Sequence, residues 1–308
     1  SNSLFGKNNS FVAGFQPRYG NQRQQRFVNI NGSIGALTQN YTAKTTYFGM
    51  YAEDAFDATK DFTIVLGGRW DYTGRQATVD NFGPAGNPFN PNTPSTPTGT
   101  NRPLQHFDAI SPKIGFVYRT TPTSQLYFNA SRAYEAPLNL ELLSSVNANG
   151  TPNTGFLNLD AQRAWQLELG HRGTSADKRY TWDVTVYNLE MQKEILASII
   201  NNQGTFQNAN GTRHTGVEAG GGMVLGKGLF AQGGAGREDS LQTRAAYTWS
   251  RFKFTDNVFA GSGANQVVIA RDGNTVAGAP EHSLNVEARY DHPAGWWIAP
   301  NVEWSLSG

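Results

Sequence analysis

FTIVLGGRWDY, residues 62–72, alternates without a break: Phe62, Ile64, Leu66, Gly68, Trp70 and Tyr72 share one phase, and Thr63, Val65, Gly67, Arg69 and Asp71 the other. A period of two is what a β-strand with one apolar and one polar face requires. The pattern recurs along the chain. Ile114, Phe116 and Tyr118 share a face, as do Leu126, Phe128 and Ala130. Trp165, Leu167 and Leu169 alternate with Gln166 and Glu168, and Tyr180, Trp182, Val184 and Val186 with Thr181, Asp183 and Thr185. Ala245, Tyr247 and Trp249, then Leu284, Val286, Ala288 and Tyr290, then Trp296, Ile298, Val302 and Trp304 complete the series. With less regular runs near 11–17, 44–57 and 212–225, the phase of 44–57 left open, about eleven strands and no helix are expected.

Composition agrees. Glycine supplies 34 of 308 residues, which argues against a mostly helical chain. Aromatics at 12 % argue against disorder. A net charge of +1 gives no polyanion or nucleic acid a reason to bind. The absence of cysteine excludes a disulfide framework, a thiolate metal site and a cysteine nucleophile. Mean hydropathy is −0.50 and no apolar run is long enough for a membrane helix. The opening SNSLFGKNNS lacks the charged and apolar regions of a signal peptide. A transmembrane barrel passes every one of these tests, because its alternating strands average out as polar.

The connections alternate too. ATKD (58–61), TTPTS (120–124), GTSADK (173–178) and HPAG (292–295) are short, whereas 74–107, 135–161, 191–211 and 256–280 are long, with 226–240 intermediate. In an up-and-down antiparallel sheet this puts tight turns on one rim and large loops on the other, as in an outer-membrane barrel. Phe62, Tyr118, Tyr180, Tyr290 and Trp296 lie beside the short turns, and Trp70, Tyr72, Tyr134, Trp249 and Trp304 towards the long loops. Two aromatic belts are what the two membrane interfaces select. A soluble sandwich also alternates, but gives no reason for two belts. The expected fold is all-β, a transmembrane antiparallel up-and-down β-barrel, with no convincing domain boundary within 1–308.

Several segments resemble the barrel of TonB-dependent outer-membrane receptors. FGMYAEDAFDATKDFTIVLGGRWDY (48–72) resembles a family hairpin with Y-x-x-D and T-x-x-G-x-R-x-D on either side of its turn. ISPKIGFVYRTTPTSQLYFNASRAYEAP (110–137) is similar to the next, with S-P-x-x-G-x-x-Y. WQLELGHRG (165–173), NANGTRHTGVEAG (208–220) and GAPEHSLNVEARYDHPAGWW (278–297) follow in the family's order. The resemblance implies energised uptake of a scarce nutrient, foremost an iron–siderophore complex, across the bacterial outer membrane. It implies a metal-chelate ligand, outer-membrane lipid and the TonB complex as partners. The family barrel has 22 strands and a plug domain that contacts TonB; the expectation for 1–308 is a partial barrel without plug or closing strand, unable to insert or transport alone. A passive porin-like barrel, or an outer-membrane hydrolase, are the alternatives.

Arg69, Asp71, Glu168, Asp183, Glu218, Glu287, Arg289 and Glu303 fall on the polar faces of their strands. They suit a lumen wall that hydrogen-bonds a plug, or a solvated wall whose charge pairs have no specific role. Arg102, Arg132, Tyr134, Arg213 and His214 gather, on this topology, around the external mouth. Guanidinium and aromatic groups there suit an anionic or catecholate metal chelate; interface anchoring and solvated charge are the plainer roles. The five histidines, His106, His171, His214, His282 and His292, form no metal-binding spacing, so neither a metal centre nor a resident cofactor is expected. No G-x-S-x-G, H-E-x-x-H or P-loop motif occurs, and GGAGRE (233–238) and GSGANQ (261–266) match phosphate loops only in glycine content; no enzyme is expected.

Overall fold

The computed structural model describes the chain apart from residues 1, 5, 85–93, 145–146, 148–152, 201–202, 261–266 and 307–308. The glycine-rich run 261–266 therefore lies outside the described residues, as does the middle of the 74–107 loop. The wall begins with β1 (Asn2–Leu4), β2 (Lys7–Ile30), β3 (Ser33–Asp57), β4 (Phe62–Pro84), β5 (Ser95–Asn101), β6 (Leu104–Thr121) and β7 (Ser124–Glu135). A one-turn helix, α1 (Asn139–Leu142), is followed by β8 (Gln162–Thr174), β9 (Tyr180–Gln192), the hairpin β10 (Ile195–Ile200) and β11 (Gln203–Asn208), β12 (Gly211–Gln232) and β13 (Glu238–Phe254). A second small hairpin, β14 (Val258–Ala260) and β15 (Val267–Ala270), precedes β16 (His282–Asp291), β17 (Trp297–Ile298) and β18 (Asn301–Leu306).

One antiparallel sheet runs in the order β2, β3, β4, β6, β7, β8, β9, β12, β13 and β16, each strand bonded to its successor in the wall. Both β17 and β18 pair with β16 and form one strand interrupted before Pro300, which has no N–H to give to a ladder. Setting aside the short β1 and β5, this is the eleven-strand succession anticipated from periodicity. The sequence reading missed α1, a 3-10 turn at Gly234–Gly236 and the two hairpins folded inside the long loops.

The alternation of short and long connections fails at one place. Asn31 (φ 51°) and Gly32 (φ 90°) close a two-residue turn on the rim that otherwise carries the long loops. Both central residues of such a turn need positive φ, which Asn and Gly tolerate best. The length is carried by the strands instead. β2, β3 and β4 have 24, 25 and 23 residues, whereas a bilayer takes about 9–11 per strand. Their outer halves therefore project beyond the membrane on the external side.

Burial follows from this geometry. Along the wall the apolar phase faces outward: Leu66 is 54 % exposed, Trp165 51 % and Val286 37 %. A continuous band of this kind is untenable in water and suits lipid. The buried apolar clusters lie at the external end, where loops fold against the projecting strands. One joins Tyr41, Ala43, Ala77, Val79 and Leu143, a second Leu142, Leu157 and Leu159, a third Ala209, Phe254, Val258 and Val276. Buried Arg75 ties the first to the wall. Its Nε donates to the Pro137 carbonyl at 2.9 Å and its Nη1 to Thr45 Oγ1 at 2.6 Å.

Glycine has a specific place in the wall. Gly14 faces Tyr51, Gly170 faces Tyr127 and Gly216 faces Tyr187 in register, and in each case a Cβ on the glycine would meet the ring within 2.7 Å. Each ring lies flat over a partner that has no side chain, which closes the sheet surface where a glycine would leave a hole.

Candidate functional site

Register carries one face across the whole wall. Arg69 pairs with Ser111, Lys113 with Ser131, Ser131 with Gln166, and Glu168 with Tyr187. Glu218 pairs with Thr185 and Thr248, Thr248 with Ser283, and Asn285 with Glu303. Residues two apart on a strand share a face. Arg69, Asp71, Glu168, Asp183, Glu218, Glu287, Arg289 and Glu303 thus lie on a single face, opposite the apolar band.

Several of these charges are engaged. Arg69 Nε donates to Asp71 Oδ1 at 2.7 Å, while Tyr47 Oη donates to the same carboxylate and accepts from Arg69. The Arg69 guanidinium also lies 5.8 Å from the centre of the Tyr51 ring. Tyr127 Oη donates to Asp183 at 3.1 Å, Asn129 to Glu168 at 3.4 Å, and Arg289 to Asp291 at 2.7 Å. Glu287 stands opposite Arg244, and Glu303 opposite Asn285.

The five mouth candidates do not form one cluster. Arg102 is exposed in the short link between β5 and β6. Arg132 pairs in register with the outward Trp165, and Arg213 with Glu190 on the outward face, where its Nε lies 2.5 Å from the Glu190 carboxylate. Tyr134 stands opposite Arg163 at the seam where β6 and β7 part, and its hydroxyl is buried. Only His214 of the β12 pair points to the inner face. Its ring stacks on Phe252 at 4.0 Å, and its Nε2 lies 3.3 Å from Glu194 Oε2. Burial pushes the Glu194 carboxyl up, but hydrogen bonds from His214 and Thr212 outweigh it and hold the group below the usual carboxylate range. Of the remaining histidines, His106 stacks on the outward Tyr72, His171 accepts from Trp182, His282 shares a hydrogen bond with the Tyr247 hydroxyl, and His292 stacks on Trp296. Among the described residues no group of three or more His, Asp or Glu is placed to hold a metal.

The sequence reading passed over Arg26. It lies on the inner face of the projecting part of β2, with Nη1 donating to Gln39 at 2.9 Å and its guanidinium 5.4 Å from the centre of the Tyr41 ring. Burial lowers its pKa, and Tyr41 opposes that shift. Arg26 and Gln24 open onto a hollow of about 540 Å³ whose far wall is Leu140 with Ala197, Ile199 and Phe206 of the β10–β11 hairpin. Because both faces of β2 are outside the membrane here, no apolar phase marks the strand. Only the Gln-Arg-Gln-Gln-Arg run at 22–26 hints at it.

The family model described as TonB dependent receptor-like, beta-barrel, matches residues 1–308. The catecholate siderophore receptor Fiu of Escherichia coli K12 is 24 % identical over 298 residues, covering 86 % of this chain and 37 % of the relative. The chain thus spans little more than a third of that relative's length. The crystal structure of the ferric-catecholate import receptor Fiu from the same organism superimposes with a TM-score of 0.65 at 19 % identity, over 98 % of this chain and 42 % of that one. The ferric yersiniabactin uptake receptor FyuA from Yersinia pestis gives 0.62 at 16 %, over 96 % and 39 %. Taken with the single polar face and the outward apolar band, these matches show that the chain belongs to the TonB-dependent receptor β-barrel family, which comprises bacterial outer-membrane transport receptors and not enzymes.

Proposed function

We propose that the whole protein takes up an anionic ferric chelate of the catecholate class, with work delivered by a TonB-type partner through a plug. The name of the 24 % identical relative suggests the class. The observation that carries the proposal is the inward Arg26 held over Tyr41 beside an apolar-walled hollow. A guanidinium offers charge and directed N–H groups to catecholate oxygens, and Phe206 and Leu140 offer the aromatic rings a dry surface. His214 forms the neighbouring part of the mouth, and Arg102 its outer rim.

In this mechanism the ligand settles under the loops first. A plug in the lumen would rest against the polar face, where Arg69, Asp71, Tyr47 and Asp183 offer exchangeable hydrogen bonds. Such bonds are individually weak and mutually replaceable, so a pulled plug could slide or unfold along them. A ligand favours the open path only by binding the two plug states with different affinity.

The test uses the full-length receptor in a strain stripped of its own ferric-catecholate receptors. Growth on a ferric tris-catecholate as sole iron source is expected, and is lost when the inner-membrane energising complex is deleted. Growth that survives the deletion would make the protein a passive pore. Growth only on other ferric chelates would overturn the ligand class.

A further inference from the structure

Three cations stand together on the outward face, where no transported ligand reaches. Arg213 and Lys253 are register partners across β12 and β13, as are Thr215 and Arg251, and Val217 and Trp249. Trp249 closes the external end of the apolar band on β13, which continues below it through Tyr247 and Ala245. At about 3.4 Å per residue, Arg251 and Lys253 lie about 7 and 14 Å further along the strand. Allowing for the tilt of barrel strands, these become about 5 and about 10 Å along the membrane normal, so Arg251 stands within the headgroup layer and Lys253 just above it, within reach of its long side chain. Together with Phe254 and Gly273 they line a shallow hollow of about 400 Å³.

The charge in this hollow is only partly compensated. Arg213 is paired with Glu190, and Asp272 lies on the rim. Lys253 Nζ donates to the Gly273 carbonyl at 2.8 Å, which leaves its charge unopposed. Arg251 is exposed and has no ion-pair partner among the described residues. We infer that Arg213, Arg251 and Lys253 form a binding site for the phosphorylated headgroup of an outer-leaflet lipid, with Trp249 against its acyl chains. Basic side chains just beyond a membrane-spanning segment attract anionic headgroups, and an interfacial tryptophan fixes the depth at which they do so. Outward Arg132 and Arg163, beside Trp165, extend the same belt on β7 and β8.

The experiment uses full-length receptor purified in uncharged detergent, with diphosphorylated lipid A as probe and its dephosphorylated form as control. Retention of the diphosphorylated form is expected, falling as salt rises and weakened about 25-fold in R251Q/K253Q, or about fivefold per cation. K60E at the opposite rim, with the barrel verified as folded by heat-modifiable migration, leaves it unchanged. Equal retention of the dephosphorylated lipid, or wild-type retention in R251Q/K253Q, overturns the site. Full displacement by millimolar inorganic phosphate makes it a free-phosphate site and overturns the lipid assignment. Should R251Q/K253Q fail to fold, the salt dependence and the dephosphorylated control on the unaltered receptor decide.

Discussion

Gly170→Ala sharply lowers the yield of folded receptor, and adding Tyr127→Ala recovers part of it. A Cβ at Gly170 would lie 2.4 Å from Tyr127 Cζ and Oη, and the nearest atoms all belong to that ring. The ring is fixed by more than this contact. Its hydroxyl donates to Asp183, and Arg172 lies 5.3 Å from its centre. Moving it therefore breaks a small network, and overpacking of this kind costs about 1–3 kcal/mol. Removing the ring removes the clash, so the double variant is more stable than G170A alone. Gly216 behaves differently. A Cβ there meets Tyr187, but also the Trp249 backbone carbonyl at 2.5 Å. Tyr187→Ala leaves that carbonyl in place, so G216A is not rescued. Heat-modifiable migration of the four variants in outer-membrane fractions measures this. Equal rescue at both sites would mean that the rings, and not the strand spacing, limit both positions.

Arg26→Glu is expected to abolish capture of a ferric catecholate at working concentrations. A charge-assisted hydrogen bond contributes about 1.5–3 kcal/mol, or roughly ten- to a hundredfold in affinity, and reversal adds repulsion to its loss. Arg132→Glu, on the outward face opposite Trp165, changes capture by no more than about twofold on the same reasoning. Iron-55 binding to energy-depleted cells separates capture from transport. An effect of Arg132→Glu equal to that of Arg26→Glu would move the ligand site to the outward rim and contradict the proposed mouth.

The wall was legible because the bilayer imposes period two wherever it touches the chain. From Phe62 to Tyr72 each even residue meets lipid, and the pattern survives even the paired glycines Gly67 and Gly68. Where the strands leave the membrane the constraint ends. β3 extends back to Ser33, but 33–43 faces water on one side and loops on the other, so its length was invisible. The Asn31–Gly32 turn carries the strongest short hairpin signal there is, yet it lies between the irregular runs near 11–17 and 44–57 and was not read. The directions of Arg132 and Arg213 were also within reach. Arg132 shares the phase of Leu126, Phe128 and Ala130, and Arg213 that of Val217, so counting in twos places both outside. The partners of His214 were not readable, because Glu194 and Phe252 come together only through register and loop folding. The same holds for Arg75, whose carbonyl acceptor on Pro137 is 62 residues away.

The central claim is that odd and even residues of 62–72 face different solvents. The segment has no cysteine, so single cysteines from Phe62 to Tyr72 can be introduced one at a time into a full-length receptor freed of any others. Spin labels at these sites report collision with oxygen, which concentrates in lipid, and with a water-soluble nickel chelate. Oxygen access is predicted to peak at positions 62, 64, 66, 70 and 72 and chelate access at 63, 65, 67, 69 and 71, the two profiles alternating out of phase. Two profiles that rise and fall together, or a chelate signal at every position, would contradict a membrane-spanning wall.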